Sequence, residues 1–343
     1  MMRLPLSWLL AFTTAALALL LLGSLATGPM TLTLGESLRA LFAGQESGIE
    51  SHKLLIVQEI RLPRTLLCIA VGGILGLCGA VMQGLFRNPL ADPGIIGVSG
   101  GAALGAALAI VLLAPLGQQL QTTIGMGLLP LLAFLGGALT TTLVYLLGTR
   151  EGGTSVTVML LAGVAITALS GAVIGLLTYL ADDQMLRNLS LWQMGTLAAG
   201  KPADVALALL TLAALLWLFM RDANPLNALL LGEGEARHLG VNVQSLKRRL
   251  ILLTAAGVGV AVAVSGMIGF VGLVVPHLVR LLAGPNHVRL LPLSALLGAA
   301  LLLAADMLAR TLLAPAELPV GIITALLGAP FFIWLLVKGR RAL

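Results

Sequence analysis

The chain has 343 residues and a formal net charge of +6; 59% of it is hydrophobic, only 10% is charged, and the mean hydropathy is +1.05. A soluble domain carries about 45–50% apolar and about 25% charged residues, so this composition excludes a soluble fold and, equally, a disordered chain. Apolar runs of about 20 residues suit helices that cross about 30 Å of hydrocarbon and do not suit the alternating strands of a membrane barrel, so the expected class is an all-α polytopic membrane protein.

Ten spans are predicted, at 5–27, 64–85, 93–113, 124–147, 155–180, 203–220, 249–265, 267–283, 290–309 and 319–337. The first follows Arg3, is long for the core of a signal peptide and lacks an A-x-A site, so it reads as a span. Residues 28–63 form a long outer loop in which Thr33 to Gly44 has the pattern of an amphipathic helix ended by a glycine. Span two holds Cys68 and Cys78, ten residues or about 15 Å apart along a helix, too far to bond, and both read as small packing residues. In the turn Arg87 to Gly94, Asp92 suits an N-cap and Pro93 the first turn of span three. Gly97, Gly101 and Gly105, then Gly163, Thr167, Gly171 and Gly175, recur every fourth position. Such stripes let helix backbones approach closely, and the second also suits the lining of a path for a bulky solute.

Residues 221–248 form the largest inner loop, which begins with the breaker Asn224–Pro225 and reads as two short helices hinged at Gly232 to Gly234. A docking surface and a solvated connector both fit it. Spans seven and eight share almost no loop at Ser265–Gly266. The even span count puts both termini on one side. With that side cytoplasmic, Arg87, Arg221, Lys247, Arg248 and Arg249 fall inside, as the positive-inside rule prefers.

The chemistry of catalysis is missing from this pattern. Gly200–Lys201 is followed by Pro202, which is no phosphate loop, so an ATP-driven transporter would need a separate ATPase. Asp306 lies near the outer end of span nine, and His277 and Arg280 near the inner end of span eight. An ion-coupled carrier needs carboxylates near the midplane, which these spans do not offer. His52, His238, His277 and His287 are scattered without metal-ligand spacing. No metal site, no cofactor in this chain and no enzymatic activity are expected.

Several stretches resemble the permease subunits of type II ATP-binding-cassette importers, the FecCD-like family that imports iron chelates, haem and cobalamin. They are Arg61-Leu-Pro-Arg64, GAVMQGLFRNPLADPGIIGVSGGAALG (79–105), LLAGVAI (160–166), LGEGEARHLGV (231–241), IGFVGLVVPHLVRLL (268–282), LLLAADMLAR (301–310) and ELPVGIITALLGAPFFIWLL (317–336). The resemblance covers nearly the whole chain in order and implies a single permease domain, 1–343. It implies ten helices per subunit and a homodimer with the path on its axis. Two cytosolic ATPase subunits would bind ATP and Mg, and a periplasmic binding protein would deliver the solute. It also implies a multi-pass protein of the bacterial inner membrane with both termini cytoplasmic, its 28–63 loop periplasmic and its 221–248 loop a cytoplasmic coupling segment.

By the same resemblance, Arg61, Arg64 and Arg310 would meet carboxylates of the binding protein. Leu231, Gly232, Glu233, Ala236, Arg237, Leu239 and Gly240 would dock on the ATPase. Asn88 and Leu90 match an inner gate. Ser155 and Thr157 lie where the family has a second gate element, with Val156 between them, and Gly163, Thr167 and Gly171 would line the path. The segment 179–200 is most similar to the haem-type members. Haem is therefore the first expectation for the solute, with a ferric siderophore or cobalamin as alternatives and a secondary ion-coupled transporter as a more distant one.

Overall fold

The computed structural model describes residues 5–30, 32–42, 50–113, 125–150, 153–198 and 200–340. In chain order the helices begin with α1 (Leu6–Ala26), α2 (Leu34–Phe42) and α3 (Ser51–Leu55). A π-helical stretch, Ile56–Arg61, carries α3 without a break into α4 (Leu62–Leu85). A 3₁₀ turn at Pro93–Ile96 precedes α5 (Val98–Leu108), and α6 is Gly125–Gly148. Two short antiparallel strands, β1 (Thr149–Arg150) and β2 (Gly153–Thr154), then lead into α7 (Val156–Leu180). The order ends with α8 (Asp183–Gln193), α9 (Pro202–Arg221), α10 (Ala223–Leu231), α11 (Glu233–His238), α12 (Val243–Ser265), α13 (Val271–Ala283), α14 (His287–Thr311) and α15 (Val320–Arg340). Among the described residues seven helices are long and apolar enough to cross a membrane, and 98–113, 271–283 and 320–335 are shorter apolar helices. The protein is an all-α polytopic membrane protein, and each predicted span corresponds to one of these helices.

Helix α4 is the axis of the bundle. It is apolar on every side, so it must be covered on every side, and it packs against α1, α9, α12, α13 and α14. Its glycines set the spacing. A Cβ at Gly72 would lie 2.4 Å from the Gly298 carbonyl oxygen, one at Gly76 2.3 Å from that of Ser294, and one at Gly79 1.9 Å from that of Gly272. The α5 stripe works in the same way against α6: Gly101 meets Gly136, and Gly105 meets Leu132. Cys68 and Cys78 are free and buried within α4, as packing residues should be.

Several boundaries differ from expectation. Span two does not begin at 64, because an unbroken helix runs Ser51–Leu85 and reclaims part of the predicted loop. Asp92 does cap, accepting from the Gly94 amide at 2.7 Å, but it caps the 3₁₀ turn rather than the span. The amphipathic pattern at Thr33 becomes α2, while its predicted glycine stop, Gly44, lies outside the described residues, as do Arg3 and Arg341. Asn224–Pro225 falls in the first turn of α10 rather than breaking a helix, since proline fits where an amide has no helical partner. The hinge in 221–248 falls at Gly232, φ 134°, between α10 and α11. Helix α8 and the β hairpin were not expected.

A further departure from helix lies between Ser265 and Val271. Between α12 and α13 the chain is non-helical at 266–270. Backbone in hydrocarbon needs protein partners, and here they come from the end of α8 and the turn after it, which α15 bonds in its turn. Thr196 donates to the Ser265 carbonyl at 2.8 Å, Met267 donates to Trp192 at 3.4 Å, and Gly321 donates to Met194 at 3.1 Å.

One end of the bundle carries α2 and α3. There Glu36 accepts from the Thr33 amide and hydroxyl and pairs with Lys53 at 2.9 Å. The Thr33 amide first, and then the Lys53 ammonium, hold the Glu36 carboxyl down at about 2. Because its folded value is depressed, this carboxylate supports α2 above the ordinary value of 4.5, and the support fades as pH falls from there toward 2. Amide exchange across 34–42 is expected to quicken over that window in the native protein and to lose the dependence in Glu36→Gln. Packing gives a second expectation. Gly79→Ala should lower stability by about 1–3 kcal/mol through overpacking against Gly272, whereas Gly127→Ala, with open space around it, should not. Thermal unfolding of the detergent-solubilised variants checks both.

Candidate functional site

The predicted functional residues fall in three places. At the α2 end, Arg61, Arg64 and Arg310 converge where α1, α4 and α14 meet, and all three are buried. Arg61 Nη1 donates to the Leu25 and Ala26 carbonyls at 2.7 and 2.8 Å, and its Nη2 donates to that of Met30. Arg310 donates to Thr27 O at 3.0 Å and to Ser24 Oγ at 2.8 Å. Two guanidinium groups thus close the C-terminal end of α1, whose last carbonyls lack helical partners. Arg64 donates through Nε and Nη2 to Asp306 at 3.0 and 2.8 Å, and through Nη1 to Glu317 at 2.7 Å. Arg310 Nε lies 3.0 Å from the other Asp306 oxygen. Asp306, fully buried, therefore neutralises two cations at once.

Each guanidinium has internal acceptors, and the three residues are at most 5% exposed. Glu317, at 35%, is the member of the cluster that reaches the surface. Asp306 and Glu317 were not singled out as part of this site. The signal for Asp306 was its position four residues before Arg310 on one helix face.

The second place is a cleft of about 630 Å³. Its walls are Ser99 and Gly100 of α5, Gly163, Val164, Thr167 and Ala168 of α7, Met267 to Gly269 of the helix break, and the capping turn at Asp92 and Gly94. Gly163 and Thr167 are thus in the lining of this cleft, and Gly171 is not. The α7 stripe differs from that of α5, since nothing within 4 Å would meet a Cβ at Gly171 or Gly175. Among the described residues nothing packs against these two positions. Met267 to Gly269 went unnoticed because their sequence reads as part of an apolar span.

The third place is the end of the bundle with α10 and α11. Leu231, Arg237, Leu239 and Gly240 are exposed, Ala236 is buried beneath them, and Gly232 supplies the bend. Glu233 faces inward: its carboxylate lies 2.6 Å from Lys247 Nζ and 3.6 Å from Arg237. Asn227 of α10 donates to Asn286 at 3.0 Å and accepts from the His287 amide at 2.8 Å, which fixes α10 to the start of α14. Asp222 and Arg249 pair through two contacts that join the α9–α10 corner to α12.

The gate residues stand at this end on separate supports. The Asn88 side chain accepts from the Leu90 amide at 2.9 Å. Leu90 lies in a hollow with His277 of α13 and Phe331 of α15. Ser155 is the N-cap of α7, with Thr157 exposed in the first turn. Among the described residues no group of His, Cys, Asp and Glu could hold a metal ion.

The family model described as the FecCD transport family matches residues 16–338. A hemin transport system permease protein of Yersinia pestis is 47% identical over 336 residues, covering 97% of this chain and 96% of the relative. A vitamin B12 import system permease protein of Shigella boydii is 42% identical over 334 residues, again 97% and 96%. Among solved structures, an inward-facing conformation described as a metal-chelate type ABC transporter superposes with a TM-score of 0.82 at 34% identity, covering 97% of this chain and 99% of that one.

The basic cluster yields a direct expectation. Asp306→Asn removes the shared counter-charge and leaves two buried guanidinium groups without it, at a cost of about 3–5 kcal/mol. Chemical denaturation should register that loss, while Glu317→Gln, at the surface, should cost far less.

Proposed function

The chain belongs to the FecCD transport family as a permease subunit of an ABC importer, and on that premise we propose that its solute is haem, moved from periplasm to cytoplasm by alternating access on the axis of a homodimer. The observation that carries the reading is the cleft beside α7: small and apolar groups line it, and among the described residues nothing packs against Gly171 and Gly175 further along the same helix. Such a wall suits a bulky solute that must pass without being held. The 47% identity to a hemin permease favours haem. The vitamin B12 permeases, at 42% in the case above, favour cobalamin as the second reading.

In this mechanism two ATPase subunits hold ATP and Mg and dock on the α10–α11 end, which is then the cytoplasmic face. Leu231, Arg237 and Leu239 offer an apolar and basic surface for them. The turn at Asn88 and Leu90 and the start of α7 at Ser155 and Thr157 act as gates at that face. A periplasmic binding protein docks on the α2 end. There the buried Arg61, Arg64 and Arg310 act through their field and through the shape of the surface they hold, which steers encounter rather than adding contact energy. The membrane is the bacterial inner membrane, with both termini cytoplasmic.

The test is uptake into proteoliposomes that hold the chain with its ATPase, with haem or cobalamin offered on a binding protein. ATP-dependent accumulation of haem, well above cobalamin, is the expected outcome. Preferential cobalamin uptake would replace the solute, and uptake that needs no ATPase would overturn the mechanism. Changing Glu233 and Arg237 together to Ala should cut uptake about tenfold, the equivalent of about 1.4 kcal/mol. Coupled uptake at the wild-type rate would remove the docking assignment.

A further inference from the structure

Lys247 has no place in the mechanism so far, yet it is 2% exposed. It sits in the first turns of α12, at the end of the bundle with α10 and α11. Its ammonium has two partners on different elements: Glu233 of α11 at 2.6 Å, and the backbone carbonyl of Thr154, to which it donates at 3.1 Å. Gln244, three residues earlier on the same helix, accepts from the Thr154 amide at 3.1 Å. Both polar groups of the Thr154 peptide residue are therefore held by α12 side chains. The hairpin adds its own ties, with Thr149 and Thr154 hydroxyls 3.1 Å apart and the Ser155 amide donating to Gly148 O at 2.8 Å. The next residue, Ser155, caps α7.

A continuous chain of contacts thus runs from α11 through Lys247 and Thr154 to the start of α7. A buried ammonium that lost either partner would be left half-satisfied, which is costly away from water. Displacing α11 alone is therefore unfavourable, and displacing α11, the start of α12 and the start of α7 together is not. We propose that Lys247 is the positioning residue that makes the α11 turn and the first turn of α7 one moving body, so that force applied at the exposed face of α11 reaches Ser155 and Thr157. The proposal rests on the reading that this segment docks an ATPase.

The experiment uses the full chain in complex with its ATPase, in proteoliposomes, and reads solute moved per ATP hydrolysed. Lys247→Met keeps the aliphatic stem and removes the ammonium. It is expected to lower that ratio about fivefold, within the range by which residues along a coupling path act, with ATP hydrolysis and co-purification of the ATPase unchanged. Gln244→Leu should move the ratio in the same direction by less. A wild-type ratio in Lys247→Met overturns the proposal, and so does a parallel fall of hydrolysis and uptake, the mark of a merely structural lysine.

A second measurement needs no Lys247 variant to fold. Spin labels at Glu235→Cys and Val158→Cys in the otherwise wild-type complex should keep their separation between the nucleotide-free and ATP-trapped states. A change beyond about 3 Å, half a helical turn, would show that the two elements move separately and overturn the proposal. A wild-type chain that does not co-purify with the ATPase would instead sink the docking reading, and the role of Lys247 with it, independently of any variant.

Discussion

Along α4, Gly72, Gly76 and Gly79 bring the backbone against the carbonyls of Gly298, Ser294 and Gly272. In hydrocarbon no water is expelled when helices meet, so association relies on close van der Waals contact, and small residues provide it. With α13 and α14 drawn this near, the inner halves of three helices form one wall. The neighbouring α5–α6 pair is set by the same device at Gly101 and Gly105. The cleft lies where that device stops. Thr167 and the α7 glycines have the same spacing, yet Gly171 and Gly175 meet nothing, so α7 is free on the side where the other helices are closed.

Charge placement follows from this packing. A bundle so tightly joined has little room for solvated cations, and its arginines are used as caps. Arg61 and Arg310 collect the last carbonyls of α1, and Asp306 balances Arg310 and Arg64. The same economy governs the other end, where Lys247, Arg249 and Asn227 each join two elements. Both ends of the bundle are thus cross-braced by polar side chains, while the middle is held by glycine contacts.

The helices were legible in the sequence because hydropathy acts over whole turns. The bend at Gly232 and the α2 helix were legible from local patterns of glycine and charge. Other features were hidden for physical reasons. Helix α8 is short and polar, so no apolar run announces it, and its cap at Asp182 looks like many loop residues. Two-residue strands have no periodicity to detect. The internal partners of the arginines were hidden, since Arg64 and Asp306 are 242 residues apart in the chain. Of the cleft lining, Thr167 could be picked out as a hydroxyl among small residues. Met267 to Gly269 could not, because whether an apolar Gly-rich stretch is helical depends on segments that bind its backbone from elsewhere.

Those segments carry a consequence for how the protein is made. Helix α13 has 13 residues, about 20 Å of helix, against the roughly 30 Å a bilayer requires. It cannot rest in the membrane as an independent span when it leaves the ribosome. The backbone next to it bonds to Trp192 and Thr196, already synthesised, and Gly321 of α15, still to come, bonds to Met194 in that same segment. Biogenesis therefore has a built-in order. The break at 266–270 finds its backbone partners only once the end of α8 is in place, and α15 then adds its bond to that same segment.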